Sequence, residues 1–524
     1  MNLDDARTPN ERAAQARVVV IGGGIAGLVA ALECAKVGMR VTLVEASAVL
    51  GGTIRGAELA GHTLDVGTQG FQARDGMVRE LVDELGLGDE VVAPLAGTAW
   101  VAGLPGGAVA PMPAGGVLGI PANPFAAEVM RVVGSGGSWR AYVDRIRPVL
   151  TIGREHNLGR LVRSRMGAKV LDRLVAPVTR GVYGVNPDDI DVDLAAPGLN
   201  TGLTRTGSLS GAVAQMQGDD EAREAHVMGI RGGMLRLVAA LEARLADLSV
   251  DVRVGVAAAG LLAPARAGGM WQVELVAVAE DSDDADDDTV RAGEEVVPNA
   301  PLEALAPLDA DFVIVAVPEV VARGLLADEL ALGNAEVEAG QGTAEATESP
   351  IEVVTLVLDA AALDAAPHGP EVFAVAGATR ATALIHETAK WPWLAEQLAA
   401  DVAHRHVVRV TFGMVGEAPA TAGLDLAGAT AMAVAEASTM LGVPLTTQQV
   451  VGSDRAIFSQ ARPAATIGHR EQSAAVRAAL ARTPGVIAVG AWLAGSGLAQ
   501  VIPDARAQAE TVRQAALWGG NDAV

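Results

Sequence analysis

Three glycines near the start of the chain have the spacing of a phosphate-binding turn. Gly22, Gly24 and Gly27 follow the apolar run 18–21 and lead into a helical pattern. In such a turn the first glycine permits the tight bend, the second lets a pyrophosphate approach the backbone, and the third lets helix pack on strand. The helix N-terminus adds unpaired N–H groups and a partial positive charge. This spacing predicts a dinucleotide site.

An acidic residue stands where such a site needs one. A second strand pattern over 40–44 ends at Glu45, about twenty residues after the turn, where a carboxylate can accept hydrogen bonds from a ribose diol. A purely structural glycine turn would not require an acid at the end of the next strand. The acid therefore favours a bound dinucleotide over an empty turn.

Composition narrows the class of protein. The chain has 524 residues, 50% of them hydrophobic, which is enough for one or two substantial cores. A net charge of -24 argues against nucleic acid and against broad electrostatic attraction to an anionic membrane surface. The only cysteine, Cys34, cannot form an internal disulfide, so we expect it to pack as a small apolar residue in a cytoplasmic protein. The eight histidines lack ligand spacing, so no metal site is expected.

Several segments are expected to carry no chemistry. The stretch 18–35 is apolar, but its glycine turn indicates a strand and helix instead of a transmembrane segment. Residues 1–15 are polar and predict a disordered tail without a signal peptide. Six aspartates within 281–288 predict a solvated loop, and 333–349, without periodicity, predicts a flexible insertion.

The next glycines extend the motif beyond the first turn. Gly51-Gly52 follows Glu45, and Gly61, Asp65, Gly67 and Phe71 have the spacing G-x-x-x-D-x-G-x-x-x-F. With these motifs the chain resembles the FAD-dependent amine oxidase and porphyrinogen oxidase superfamily. The segment 490–498, before the last helix, is similar to the closing loop of that superfamily. The resemblance implies FAD as cofactor. A cysteinyl link to it is excluded because the only cysteine lies in the first helix.

Shorter motifs resemble the porphyrinogen oxidase branch, of the bacterial oxygen-dependent type. The closing loop has Gly490-Ala491 where most of the superfamily has Gly-Asp. Other segments similar to that branch are 118–121, 161–167, 176–187, 231–233, 390–392 and 467–469. The resemblance runs in order from about residue 17 to 512.

The resemblance implies an α/β (α+β) fold: a discontinuous Rossmann-like FAD-binding domain with an inserted mixed-sheet substrate domain and a helical subdomain. The expected division is a disordered tail (1–16), an FAD-binding domain in three parts (17–94, 225–262, 479–517), a helical subdomain (95–205), and a substrate-binding domain (263–478) whose strand 311–318 returns to the FAD-binding domain.

The resemblance also implies site residues. Flavin N5 takes the hydride, so no catalytic acid or base is expected. Arg74 and Lys390 are the candidates to bind substrate propionates. The adenine is expected against Val256, or against Val254, in the strand predicted over 249–256. The predicted cofactor-binding residues are Gly22, Gly23, Gly24, Ile25, Ala26, Gly27, Glu45, Ala46, Gly52, Thr53, Gly67, Thr68, Gln69, Gly70, Val256, Ser496, Gly497 and Leu498.

The implied activity is oxidation of coproporphyrinogen III to coproporphyrin III by O2, with H2O2 as by-product, in haem biosynthesis. Protoporphyrinogen IX is the alternative substrate. Another flavin amine oxidase, a carotenoid desaturase, and a non-catalytic FAD- or porphyrin-binding protein stay open as alternatives. The implied partners are the porphyrinogen, O2 and a ferrochelatase that receives the product. Peripheral contact with the inner membrane face is left open.

Overall fold

The structure is a computed structural model that describes residues 8–73, 76–147, 155–220, 227–266, 269–278, 303–331, 350–459 and 463–519. Arg74, the acidic loop 281–288 and the insertion 333–349 lie outside these ranges.

The strands are β1 (Arg17–Ile21), β2 (Arg40–Glu45), β3 (Gly56–Leu59), β4 (His62–Asp65), β5 (Phe71–Gln72), β6 (Val91–Val92), β7 (Trp100–Leu104), β8 (Ala108–Pro111), β9 (Val227–Ile230), β10 (Asp251–Val254), β11 (Val256–Leu262), β12 (Trp271–Ala277), β13 (Ala304–Ala310), β14 (Phe312–Val315), β15 (Pro350–Asp359), β16 (Glu371–Ala374), β17 (Ala383–His386), β18 (Arg405–Phe412), β19 (Val450–Ser459) and β20 (Val486–Ala488).

The α-helices of the described residues include a run of seven, α4 to α10, between β8 and β9. Two π-helical turns, Leu171–Val175 and Thr179–Tyr183, lie within this run and extend the helices on either side. The helices are α1 (Pro9–Gln15), α2 (Ile25–Ala35), α3 (Met77–Glu84), α4 (Ala127–Tyr142), α5 (Leu158–Arg165), α6 (Ala168–Val170), α7 (Ala176–Val178), α8 (Val192–Ala195), α9 (Leu199–Thr206), α10 (Leu209–Asp220), α11 (Leu235–Asp247), α12 (Glu319–Leu325), α13 (Ala327–Ala331), α14 (Glu387–Lys390), α15 (Pro392–Asp401), α16 (Leu426–Leu441), α17 (His469–Leu480), α18 (Ala491–Ala494) and α19 (Leu498–Trp518).

A parallel sheet in the order β10-β2-β1-β14-β20 forms the Rossmann-like part of the fold. Val18 and Val20 of β1 face a core shared with α2, α11 and α19. Val19 and Ile21 face the opposite core, which includes Trp271 of β12. Burial on both faces explains the continuous apolar run of β1. The strand and helix from the end of the chain, β20 and α19, complete the layer that β1 and α2 begin.

A second, mixed sheet has the order β19-β15-β18-β17-β16-β7-β8, with β16 and β7 parallel and the other pairs antiparallel. One face packs on α16 through residues such as Ala433 and Ala437. The other face packs on the β3–β4 hairpin, where Val357 and Val407 share a core with Leu64. This face brings the mixed sheet against the loop that follows β4. The expected combination of a parallel sheet with a separate mixed sheet is confirmed.

Helices α4 to α10 pack around their own core, to which Val129, Leu161 and Leu174 contribute. A buried ion pair joins two parts of this layer: Arg165 Nε lies 2.5 Å from Asp144 Oδ1, with side-chain exposures of 8% and 0%. Asp144 also accepts a hydrogen bond of 2.5 Å from Leu209 N. The pair therefore ties α5 to the segments before and after it.

The prediction of a disordered N-terminal tail is wrong for residues 9–15. These residues form α1, which starts with a capping box between Thr8 and Glu11 and has Pro9 at its first position. Ala13 is fully buried in the core that contains α19. The capping box pairs backbone N–H groups at the start of the helix, and Pro9 has no N–H group that needs a partner. Burial of Ala13 holds the helix in place.

The segment 249–256, predicted as one strand, is divided. β10 ends at Val254 in the parallel sheet, and β11 begins at Val256 in a three-stranded antiparallel sheet with β12 and β13. Gly255 lies between them with φ at +67°. This left-handed conformation, which glycine adopts without steric strain, lets the chain leave one sheet for the other.

Candidate functional site

The first glycine turn has no space for side chains on the side facing its own sheet. Gly22 has φ at +107°, and a Cβ there would lie 2.5 Å from the carbonyl oxygen of Ala316. A Cβ on Gly27 would lie 1.9 Å from the carbonyl oxygen of Gly22. These two contacts explain why glycine occupies both positions: any larger residue would separate β1, α2 and β14.

Gly24 has a different role because it faces open space. Among the described residues, a Cβ there would have one neighbour within 4 Å, the Cα of Gly52 at 3.9 Å. Gly51 N donates a hydrogen bond of 2.9 Å to Gly23 O, which holds the two glycine turns together. Gly24 is also the N-cap of α2, without a side-chain cap. The turns thus form an uncovered glycine-lined cradle at a helix N-terminus, which suits a pyrophosphate.

Glu45 lies at the edge of this cradle. Its Oε2 accepts a hydrogen bond of 2.6 Å from Gly23 N, and its Oε1 accepts one of 2.8 Å from Ser47 N. A carboxylate has about four acceptor positions, so it can also accept from a ribose hydroxyl. In the parallel sheet Val254 is opposite Glu45, whereas Val256 begins the next strand. Gly255 N, between the two candidate valines, donates a hydrogen bond of 3.0 Å to Ser47 O, so both valines lie close to the end of β2. Their role stays a prediction.

The predicted residues Gly67 to Gly70 form a loop that packs on the second glycine turn. Thr68 N donates a hydrogen bond of 2.9 Å to Thr53 O, and a Cβ on Gly67 would lie 2.0 Å from the same oxygen. A Cβ on Gly70 would lie 2.5 Å from Met228 O. The loop, which we call the β4–β5 loop (residues 66–70), is thus built against Gly52-Thr53.

The closing loop leads into α19, the helix that packs on α2. Leu498 starts α19 and belongs to the same core as Ile25 and Ala26 of α2. Gly495 has φ at +102°, and Ser496 and Gly497 lead from it into α19. The structure therefore brings together two helix N-termini and four glycine-containing segments from opposite ends of the chain. This arrangement of glycine-lined backbone and one acid fits a dinucleotide such as FAD.

Of the two predicted propionate-binding residues, only Lys390 lies in the described part of the chain. Its Nζ is 2.7 Å from Glu371 Oε1, and its side chain is 11% exposed. It also lies 5.8 Å from the ring centre of Trp391. Its charge is thus already balanced by a carboxylate in the protein, and its contact with substrate stays a prediction.

A buried charge cluster next to the β4–β5 loop was not predicted; it consists of Asp65, Glu387 and Arg409. Arg409 Nη2 donates hydrogen bonds to Val66 O at 2.8 Å and Gly67 O at 2.7 Å. Its Nη1 lies 3.6 Å from Glu387 Oε1. Asp65 accepts a hydrogen bond of 2.7 Å from Met234 N, before α11.

Burial dominates the electrostatics of the buried charge cluster. It raises the pKa of Glu387 and of Asp65 and lowers the pKa of Arg409, while Arg409 and the two acids partly offset one another. One guanidinium therefore lies 3.6 Å from the buried carboxyl group of Glu387 and interacts electrostatically with the half-buried carboxyl group of Asp65. The sequence signal was present in the apolar strand 405–412, where alternation directs Arg409 towards the interior.

A buried histidine adjoins this cluster and should make stability depend on pH. His386 is 1% exposed, and burial, with a smaller contribution from His406, lowers its pKa from 6.5 to about 3. Between these values the unfolded chain binds a proton at His386 that the folded chain does not. The free energy of unfolding is therefore unaffected by His386 above pH 6.5 and decreases as the pH falls from 6.5 towards 3. The slope is about 1.4 kcal/mol per pH unit.

His386→Gln removes this titration. We expect the variant to lose less stability than the wild-type protein between pH 7 and pH 5 in urea unfolding followed at several pH values. Parallel stability curves for the two proteins over this range would show that His386 does not stay neutral in the folded state.

Comparison with known proteins agrees with these features. The family described as flavin containing amine oxidoreductase matches residues 25–339, more than half of the chain. A coproporphyrinogen III oxidase from Propionibacterium freudenreichii is 31% identical over 41% of this chain and 41% of its own length. A coproporphyrinogen III oxidase from Mycobacterium bovis is 30% identical over 50% of this chain and 58% of its own length. The chain thus spans about two to three fifths of the curated relatives it matches.

A solved structure from Exiguobacterium sp. 255-15, provisionally named a protoporphyrinogen oxidase, has the same fold. Its TM-score is 0.75 at 21% sequence identity, and the match covers 95% of this chain and 99% of that one. The glycine-lined cradle and the predicted flavin cofactor agree with the family match. The chain belongs to the flavin containing amine oxidoreductase family.

Proposed function

We propose that the protein is an FAD-dependent oxidase that converts coproporphyrinogen III to coproporphyrin III in haem biosynthesis, with O2 as acceptor and H2O2 as by-product. The observation that carries the proposal is the family match together with two relatives of that printed name at 30% and 31% identity. The glycine-lined cradle supports it because it supplies the dinucleotide site that such an oxidase requires.

FAD, when bound, would accept a hydride from the substrate and pass the electrons to O2. The chain's own residues would bind and orient it. The turns at Gly24 and Gly52 would receive the pyrophosphate, Glu45 a ribose, and the β4–β5 loop and the start of α19 the rest of the cofactor. Binding would be non-covalent. In support, Cys34 is fully buried within α2, and burial raises the pKa of its thiol to about 12, which leaves no reactive thiolate.

Protoporphyrinogen IX stays the alternative substrate, because the two porphyrinogens differ only in two propionates against two vinyl groups. An amine oxidase, a carotenoid desaturase and a binding protein without turnover are further alternatives within the same fold. We favour coproporphyrinogen III because both relatives described above carry its name.

Anaerobic mixing tests the proposal at its first step. The FAD-loaded protein should lose its flavin absorbance near 450 nm, as flavins do on reduction, when coproporphyrinogen III is added without O2, and admission of air should restore it. Putrescine provides the control for an amine oxidase. Bleaching by the amine but not by coproporphyrinogen III would contradict the proposal and favour the first of the alternatives.

We also propose cytoplasmic location with peripheral contact to a membrane, and handover of the product to a ferrochelatase. Among the described residues, no helix is both long and apolar enough to span a bilayer.

An exposed apolar face, formed by Trp139 near the end of α4 and Ile146 just after it, supports the peripheral contact. Trp139 and Ile146 are 62% and 73% exposed. Trp139 packs edge-on against Phe125 at 5.0 Å between ring centres, and the exposed Arg145 and Arg147 flank Ile146.

Exposed indole and aliphatic groups beside arginines suit the interface of an anionic bilayer. The double variant Trp139→Ser/Ile146→Ser should therefore bind vesicles of phosphatidylcholine and phosphatidylglycerol roughly tenfold more weakly than wild type in a sedimentation assay. Trp518→Ser, at the end of α19, is the matched control, because Trp518 is 68% exposed but lies in the parallel-sheet domain. Equal binding of both variants would contradict membrane contact through this face.

A further inference from the structure

Arg409 connects the mixed sheet to the predicted cofactor site. In β18 it is opposite Thr355 of β15, which is in turn opposite Asp454 of β19. This row lies on the sheet face that covers the β4–β5 loop. The guanidinium reaches across the domain boundary to two consecutive carbonyl groups of that loop, those of Val66 and Gly67.

Backbone contacts continue from this loop to the glycine turns. Gly67 N donates a hydrogen bond of 3.2 Å to Arg55 O, and Thr68 N donates one of 2.9 Å to Thr53 O. Thr53 follows Gly51-Gly52, and Gly51 N is bonded to Gly23 O. Three short steps therefore separate Arg409 from the turn at the start of α2. If the carbonyl groups of Val66 and Gly67 moved, the β4–β5 loop and the glycine turns on which the cofactor is expected to lie would move with them.

Stability alone does not explain a charge at position 409. Arg409 is 5% exposed and Glu387 4% exposed, yet Arg409 Nε and Nη1 and Glu387 Oε1 have no hydrogen-bond partner among the residues that the structure describes. The distance between Nη1 and Oε1, 3.6 Å, is longer than a hydrogen bond. Replacing such incompletely bonded buried pairs by apolar residues is often neutral or stabilising. The contacts that Arg409 does satisfy fully are those with the β4–β5 loop.

We propose that Arg409 is a positioning residue: it fixes the carbonyl groups of Val66 and Gly67 and so sets the β4–β5 loop against the bound flavin cofactor. Glu387 is its charge partner and does not itself hold the loop. This inference rests on the proposed role of the loop in binding FAD. It does not depend on which substrate is oxidised, because it is tested by cofactor binding alone.

The test separates loop positioning from charge compensation with three variants of the full chain. Arg409→Met/Glu387→Gln removes the buried Arg409–Glu387 pair together, and Asp65 keeps its hydrogen bonds from Met234 N and Leu235 N, but the double variant also loses both hydrogen bonds to the loop. Glu387→Gln alone keeps those hydrogen bonds. Arg405→Met is the matched control. Arg405 lies at the start of the same strand, β18, away from the loop, and pairs with Asp359 of β15.

The readouts are the dissociation constant for FAD, the flavin absorption spectrum and thermal unfolding of the apoprotein. We expect the double variant to unfold near the wild-type temperature, to bind FAD at least about tenfold more weakly, and to shift the flavin spectrum. Glu387→Gln and Arg405→Met should bind FAD within about threefold of wild type. A stable double variant with wild-type affinity and an unchanged spectrum would overturn the proposal.

Arg409→Lys decides the question if the double variant does not fold. Lysine keeps a positive charge opposite Glu387 but lacks the planar fork that reaches two carbonyl groups. We expect this variant to fold and to bind FAD measurably more weakly than wild type, whereas wild-type affinity would overturn the role of Arg409. If wild-type protein binds FAD but oxidises no porphyrinogen, the proposed function fails while this inference is still tested by the same titrations.

Discussion

Gly24→Val is expected to fold like the wild-type protein and to bind FAD at least about a hundredfold more weakly, a loss of about 2.7 kcal/mol. The backbone of Gly24, with φ at -70° and ψ at 175°, is one that valine adopts readily. The nearest atom to a new Cβ is the Cα of Gly52, at 3.9 Å, so the folded apoprotein has room for the side chain. The valine methyl groups would instead occupy the space that a pyrophosphate needs.

Fluorescence titration of the apoprotein with FAD measures this effect, and circular dichroism checks the fold. Gly324→Val is the matched control: it lies in α12, and a Cβ there meets no atom of the described residues within 4 Å. The control should bind FAD within about threefold of wild type, because it is not part of the cradle. Equal affinities for the two variants would show that the cofactor does not pass over Gly24.

Arg165→Met is expected to destabilise the helical layer by about 3–5 kcal/mol, because it leaves Asp144 fully buried without its cation. Arg165 also donates a hydrogen bond of 2.8 Å to Gly207 O, so its loss loosens the turn before α10. Arg163, two residues earlier on α5, pairs with Asp188 at exposures of 53% and 50%. Arg163→Met should therefore change stability by less than about 1 kcal/mol.

Urea unfolding of the two variants measures the contrast, and limited proteolysis shows whether the helical layer opens first. Both substitutions replace an arginine of the same short helix with methionine, so helix propensity and net charge change equally. Similar losses of stability in the two variants would mean that burial of the Arg165–Asp144 pair does not determine its contribution.

The sequence predicts those parts of the fold and of the site whose residues lie close together in the chain. The first turn, the acid at Glu45 and the second glycine pair lie within about thirty residues, and their spacing alone indicates a strand, turn, helix and strand. The mixed sheet and the return of the last helix to the first domain are predicted from the family resemblance, which runs from about residue 17 to 512. The glycine-lined cradle is predicted by the short motifs and the family resemblance together.

The buried charge cluster could not be predicted in this way because its partners are distant in sequence. Arg409 bonds to Gly67 across 342 residues, and Asp65 bonds to Met234 across 169. Hydrophobic periodicity can show that Arg409 points inward but not which backbone it meets. By contrast, α1 and the break at Gly255 had local signals, a capping box and a glycine within a strand pattern. Both features are therefore encoded within a few residues of the element that they define.

The proposed oxidase activity is tested most directly by following porphyrin fluorescence in air with purified, FAD-loaded protein and either coproporphyrinogen III or protoporphyrinogen IX. Peroxide is measured in the same samples, and Gly24→Val, expected to bind FAD at least about a hundredfold more weakly, provides the baseline. We expect faster porphyrin formation from coproporphyrinogen III, with one H2O2 released for each two-electron oxidation. Porphyrin formation no faster than the Gly24→Val baseline with either substrate, while wild-type protein holds its full complement of FAD, would contradict the proposed function.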